Sequence, residues 1–153
     1  MNKKYLLHLL TITMIAMLSL GFASCGGDDD DEPINVKSYI LGTWRTFKAV
    51  GYAQGESVTL QISKTGEYSE AYIEMTFKSD GTVVGSRWEQ DSNGVSRWVT
   101  EEANYTVNGN IVNIMSDGET ASLVFDASDK TLCIRGAQYI NGVNVTINIF
   151  MKK

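Results

Sequence analysis

From residue 36 to its C-terminus the sequence predicts an all-β domain, an eight-stranded antiparallel up-and-down barrel. Three observations predict it. Apolar residues recur at every second position: Ala71, Ile73, Met75 and Phe77 alternate with Tyr72, Glu74, Thr76 and Lys78, and Val143, Val145, Ile147 and Ile149 alternate with Asn144, Thr146, Asn148 and Phe150. Turn residues punctuate these runs at short intervals, as in Ser79-Asp80-Gly81, Asn108-Gly109 and Ser116-Asp117-Gly118. After Pro33, the single proline, no stretch keeps a 3.6-residue apolar period for three turns, which suits a hydrogen-bonded sheet. A long meander closes on itself because closure removes exposed edges. A two-sheet sandwich is the alternative.

The elements follow in order. Residues 36–41 suggest a helical turn closing one end. A first strand opens at Gly42-Thr43-Trp44 and runs through about Tyr52, and Gln54-Gly55 turns it into a short strand over 58–62. A strand over 68–77 returns through Asp80-Gly81 to another over 83–89. Residues 97–107 form the next extended stretch, with a bulge expected near Glu101-Glu102. Asn108-Gly109 is the strongest two-residue hairpin signal in the chain. Strands over 110–115, 119–125 and 131–135 come next, then a longer connection over 137–142 holding Tyr139, then a final strand from Val143.

The first 35 residues have a different composition. Lys3 and Lys4 precede an apolar run over 6–20, and small residues lead up to Cys25, the anatomy of a secretory signal. The run is short for a transmembrane span and has acids, not a basic stop-transfer flank, beyond it. Gly26-Gly27 and the acids 28–32 cannot build a core and repel one another, so they read as a disordered, extended tether. The chain therefore divides into a signal peptide at 1–24, Cys25 with its acidic tether at 25–35, and a barrel domain at 36–153.

Phe22-Ala23-Ser24-Cys25 resembles the lipobox of bacterial lipoproteins, with Phe22 where Leu is usual. The resemblance implies that Cys25 is lipidated and that the chain is held in the cell envelope by its acyl chains, each buried methylene contributing about 0.8 kcal/mol. The acids behind Cys25 resemble the signal that sends lipoproteins of Bacteroidetes-type bacteria to the outer face of the outer membrane; a plain solvated spacer is the other reading. With Cys25 acylated, Cys133 has no partner for an intramolecular disulfide, and its setting in Thr131-Leu132-Cys133-Ile134 suits a small buried hydrophobe.

Gly42-Thr43-Trp44 opening the first of eight antiparallel strands resembles the lipocalins. The ordered set Leu41 to Arg45, Met75 to Thr82 and Tyr105 to Val112 is similar to the lipocalin-like lipoproteins of gut Bacteroidetes. The resemblance implies that Trp44 packs across the closed end of a calycin-like barrel with Arg135 lying over it, both in structural roles. The Thr-Asp-Tyr motif of classical lipocalins is missing.

Function classes can be excluded on composition. The only histidine, His8, falls in the signal, so the mature chain lacks Ser-His-Asp and Cys-His catalysis and the usual zinc ligands. Of 18 acidic residues five lie at 28–32, leaving 13 against the 11 basic residues beyond Lys3 and Lys4. A nearly neutral domain without basic runs is not a nucleic-acid surface. Glu101-Glu102 and Glu67 with Glu70 lack calcium-loop spacing, and adjacent strand glutamates point to opposite faces. No enzyme, metal or cofactor is expected. Trp88 and Trp98, each preceded by an arginine (Arg87, Arg97), form an aromatic platform or a cross-strand pair that stabilises a hairpin. With Tyr72, Tyr105 and Tyr139 they are the candidate ligand contacts at a barrel mouth. The sequence thus frames two functions: an envelope lipoprotein binding a small hydrophobic or amphipathic molecule, or a non-enzymatic subunit whose self-filled barrel docks on an envelope protein.

Overall fold

The computed structural model describes residues 34–140 and 143–153. The expected signal peptide, Cys25 and the acidic tether lie outside the described residues. The described chain begins with one helical turn, α1 (Val36–Tyr39), whose N-cap Asn35 accepts the Ser38 N–H at 3.3 Å. Nine strands follow: β1 (Gly42–Ala53), β2 (Glu56–Gln61), β3 (Ile73–Phe77), β4 (Thr82–Gln90), β5 (Ser96–Asn108), β6 (Ile111–Ser116), β7 (Glu119–Asp126), β8 (Thr131–Ile140) and β9 (Val143–Lys152).

All neighbours are antiparallel, and the order β2-β1-β3-β4-β5-β6-β7-β8-β9 is closed by a further pairing of β1 with β9. β9 covers one edge of β1 from Arg45↔Lys152 to Ala53↔Val145. The other edge is shared: β2 pairs with Lys48 to Ala53, and β3 with Gly42 to Arg45. β2 and β3 therefore fill one position in the ring, and nine strands make a closed eight-position barrel. The up-and-down antiparallel barrel predicted from alternation and turns is the fold.

Four local expectations are corrected. The strand expected from Tyr68 begins only at Ile73, and Ser69–Ala71 is a 3-10 turn. Residues 63–72 thus leave the ring as an excursion between β2 and β3. Where the backbone ladder lapses, the buried Thr46 hydroxyl substitutes for it, donating to Ile73 O and accepting from Ile73 N–H, both at 3.3 Å. No bulge occurs at Glu101-Glu102, since the β4–β5 register is unbroken from Thr82↔Asn104 to Gln90↔Ser96; the irregularity is on β1, between Thr46 and Lys48. The Asn108↔Ile111 pair makes Gly109-Asn110 the hairpin loop. Gly109 supplies the positive φ (58°) that a type II′ turn needs at its first central position. The connection expected over 137–142 is largely strand, because β8 pairs with β9 as far as Ile140↔Val143.

The end of the barrel beside α1 is filled. Trp44, Phe77, Phe125, Leu132 and Met151 project from five strands into one buried cluster with Ile40. Trp44 is fully buried, and its Nε1 donates to Ile40 O at 2.7 Å. Its ring meets Phe125 edge-on at 6.3 Å, and Tyr39 of α1 lies 5.3 Å from Phe125. These aromatic contacts fasten the helical turn across the opening, and burying so many large side chains makes this end the stable half of the molecule.

Candidate functional site: the open mouth of the barrel

The strand directions place the β1–β2, β4–β5, β6–β7 and β8–β9 hairpin ends together at the end remote from α1. Period-two alternation identifies what each strand sends inward there. Ile73 and Val83 are core residues, so two-residue steps along β4 turn Gly85, Arg87 and Glu89 inward, and the pairs Met75↔Gly85 and Ile73↔Arg87 agree. Along β5 the same steps from Tyr105 through Ala103 turn Glu101, Val99 and Arg97 inward, opposite Gly85, Arg87 and Glu89.

The β4–β5 wall of the mouth is therefore charged. Arg87 donates to Glu101 through a fork, Nη1 to Oε2 at 2.8 Å and Nη2 to Oε1 at 3.4 Å. Arg97 and Glu89 approach to 3.8 Å nearer the rim. The guanidinium hydrogen bond holds the Glu101 carboxyl below its ordinary pKa, and the carboxylate in turn raises that of Arg87. The two partners are unequally enclosed: 35% of the Arg87 side chain is exposed against 66% of that of Glu101.

The facing wall is apolar and built from small residues. β1 presents Ala49, Gly51 and Ala53, and β9 presents Val145 and Ile147. Opposite Ile147 on β8 lies Gly136. Ala49, Val145 and Ile147 are each at most 2% exposed and join Leu60, Ile62, Ala71, Tyr72 and Ile149 in a second buried cluster, so this side of the interior is filled as well. A Cβ added at the inward-facing Gly85 would meet nothing within 4 Å. Pairing of β7 with β8 stops at Leu123↔Ile134, although β7 begins at Glu119 and β8 runs on to Ile140.

Of the five aromatics expected at the mouth, Tyr72 is buried in the cluster that holds Ala49, Val145 and Ile147, and Trp98 packs against that cluster. Trp88 and Trp98 are direct cross-strand partners on the outward face of β4 and β5, edge to face at 5.3 Å. Tyr72 lies 6.1 Å from Trp98 and donates its hydroxyl to Glu74 at 3.0 Å. With Lys64, whose Nζ sits 4.3 Å from the Trp98 ring and 3.5 Å from Glu74, this group clamps both ends of the 63–72 excursion. Tyr105 belongs to the filled cluster, with its hydroxyl on Lys78 O at 2.7 Å, and burial raises its pKa. Tyr139 is exposed, opposite Asn144.

Of the two residues expected to close the barrel, Trp44 is at the filled end. Arg135 is exposed on β8 opposite Asn148, and the cation near the Trp44 ring is Lys153, at 5.7 Å. The reason is parity: Leu132 points inward, so Arg135, three residues on, points outward. Cys133 is buried opposite Phe150 on the same outer face, and burial pushes its thiol pKa up. Arg87 and Glu101 were visible in the sequence as a hydrogen-bond donor and a carboxylate. Extending the alternation from Val83 and Tyr105 would have placed both inside.

No family model matches the chain, and no curated protein matches it. Among solved structures it is similar to lobster apocrustacyanin A1, with 13% identity and a TM-score of 0.37 over 76% of this chain and 61% of that one. It is also similar to the siderocalin Ex-FABP, described as functioning through dual ligand specificities, with 10% identity and a TM-score of 0.38 over 74% and 73% of the two chains. The chain thus spans about three fifths of the length of the lobster protein. The closed barrel stands on this chain's own strand pairing, and no ligand is carried over from either neighbour.

Proposed function

We propose that this protein is a non-enzymatic envelope lipoprotein of the lipocalin-like kind that holds a small hydrophobic or amphipathic molecule in the open half of its barrel. The observation that carries the reading is the change in inward-facing side chains along the barrel axis. Large buried residues occupy the α1 end, whereas the β4–β5 wall at the other end carries Gly85, where an added Cβ would meet nothing within 4 Å, and the partly exposed Arg87 and Glu101. A barrel of eight strands has room for one small ligand when its side chains do not fill it.

Anchoring through Cys25, placement at the outer membrane and exposure at the cell surface belong to the same proposal and rest on the lipobox and the acids behind it. Mass spectrometry of the natively purified protein should find an apolar or amphipathic molecule bound at about one per chain. Gly85→Phe should abolish that co-purification by filling the mouth from a position with space for a ring. A bound molecule undiminished in Gly85→Phe would place the ligand elsewhere. Cys25→Ala should move the protein out of the membrane fraction, and retention there would mean that the apolar run is itself the anchor.

A further inference from the structure

We propose that the free edge of β5 is a self-association surface: residues 96–102 pair antiparallel with the same residues of a second copy, about a two-fold axis at Val99. The strand pairing leaves this edge open. β5 runs from Ser96 to Asn108, and β4 covers one side of it as far as Gln90↔Ser96. On the other side β6 takes up only Asn104 to Asn108, so among the described residues Ser96 to Ala103 have no strand beside them there. Ser96, Arg97, Thr100, Glu101 and Glu102 are all exposed. The direction of the backbone groups is fixed by a neighbouring bond. Tyr105 donates its N–H to Gly81 O on the β4 side. Odd-numbered residues of β5 therefore turn their N–H and C=O toward β4, and even-numbered ones turn them away. Ser96, Trp98, Thr100 and Glu102 present these groups to the free edge, a template for another strand.

The side chains on the edge identify the occupant. An antiparallel pair centred on Val99 sets Ser96 opposite the partner's Glu102, Arg97 opposite the partner's Glu101 and Trp98 opposite the partner's Thr100, and each again in reverse. The even-numbered pairs are those whose backbone groups face the edge, so they exchange main-chain hydrogen bonds. Arg97 and the partner's Glu101 fall in the intervening pairs, where opposed side chains stand closest. Both have capacity to spare. Arg97 is 68% exposed and lies 3.8 Å from Glu89. Glu101 is two-thirds exposed and keeps lone pairs beyond its bonds to Arg87. Across the joined sheet the charges alternate in sign: Glu89, Arg97, the partner's Glu101, the partner's Arg87. A shift of two residues either way would set Arg97 against Val99 or Ala103 of the other copy instead. Inward-facing charges ordinarily guard an edge against pairing. Here their placement about Val99 turns away other strands and matches the edge to itself, as a closed two-fold dimer requires. The pairing stops at Ser96, where β5 itself begins, and leaves the β6 ladder from Asn104 undisturbed.

The test is sedimentation of the full chain in detergent at about 100 μM, a concentration suited to an interface of small area. Wild type should sediment as a dimer. Arg97→Glu and Glu101→Arg should each be monomeric, because each sets like charges against one another twice across the axis. An equimolar mixture of the two variants should dimerise again, since every such pair is then opposite in sign, and that recovery also shows that both fold. A separate variant reads the register: Val99→Cys should oxidise to a linked dimer at least about tenfold faster than Thr100→Cys, because only the residue on the axis meets its own copy at about 4.5 Å between Cα atoms. A monomeric wild type, a dimer indifferent to both charge changes, no recovery on mixing variants that keep the wild-type Tm, or equal cross-linking at 99 and 100 would each overturn the proposal. The inference stands apart from the bound molecule, whose co-purification none of these outcomes decides.

Discussion

The two ends of this barrel are built from the same eight strand positions yet solve different problems. At the α1 end, inward positions carry Trp44, Phe77, Leu123, Phe125 and Met151, each at most 2% exposed, and the helical turn lies across them. At the other end, inward positions carry Ala49, Val145 and Ile147, buried with Leu60 and Tyr72, and on β4 and β5 two charged pairs. The closed end supplies burial that stabilises the whole ring. The other end adds a second buried cluster along β1, β2 and β9 and leaves charge to the β4–β5 wall. Strand pairing persists through both, so one region can be altered for binding while the other holds the fold.

The largest expected effect lies at the closed end. Trp44→Ala removes a fully buried ring, its edge-on contact with Phe125 and its hydrogen bond to Ile40 O. It should cost about 3–5 kcal/mol, seen as a fall in Tm on the order of 10–20 °C. An intermediate effect is expected at the clamp on the outer wall. Trp98→Ala deletes contacts with Trp88, Tyr72 and Lys64. It should cost about 2 kcal/mol and raise amide exchange in residues 63–72 far more than at α1. The smallest effect on stability belongs to the mouth. Gly85→Phe adds a ring into open space and replaces a residue poorly suited to strands, so its stability should stay within about 1 kcal/mol of wild type. Equal losses at Trp44 and Gly85 would erase the distinction between the ends.

How much of this was legible in the sequence differs between the same two regions. Trp44 at the closed end, the strands and most turns were readable because alternation and turn chemistry are local signals. The four-residue α1 followed from the short mixed segment before Gly42. The limits of local reading show at residues 68–72. Ala71 keeps the inward parity of Ile73 although its backbone is a 3-10 turn, so alternation alone extended the strand too far. The sharing of one β1 edge by β2 and β3 depends on pairing across the chain, which no local pattern encodes.

The mouth is harder to read for a different reason. Trp88, Trp98 and Tyr139 sit at odd steps from the core residues of their strands, whereas Tyr72 precedes β3 and is buried in the second cluster. Arg87 and Glu101 sit at even steps and face inward. Charged residues are expected outside a barrel, and that expectation outweighed the parity written in Val83-Val84-Gly85-Ser86-Arg87. The lipocalin resemblance implies Arg135 over Trp44, and the odd step from Leu132 sends it outside.

The division between the filled α1 end and the β4–β5 wall is tested most directly by measuring Tm and co-purified ligand together on Trp44→Ala and Gly85→Phe. Gly85→Phe should keep its Tm within a few degrees of wild type and lose the bound molecule. Trp44→Ala should lose much of its Tm and, below its transition, still retain the bound molecule. A Gly85→Phe protein that retains the molecule like wild type, or one that unfolds as readily as Trp44→Ala, would contradict it.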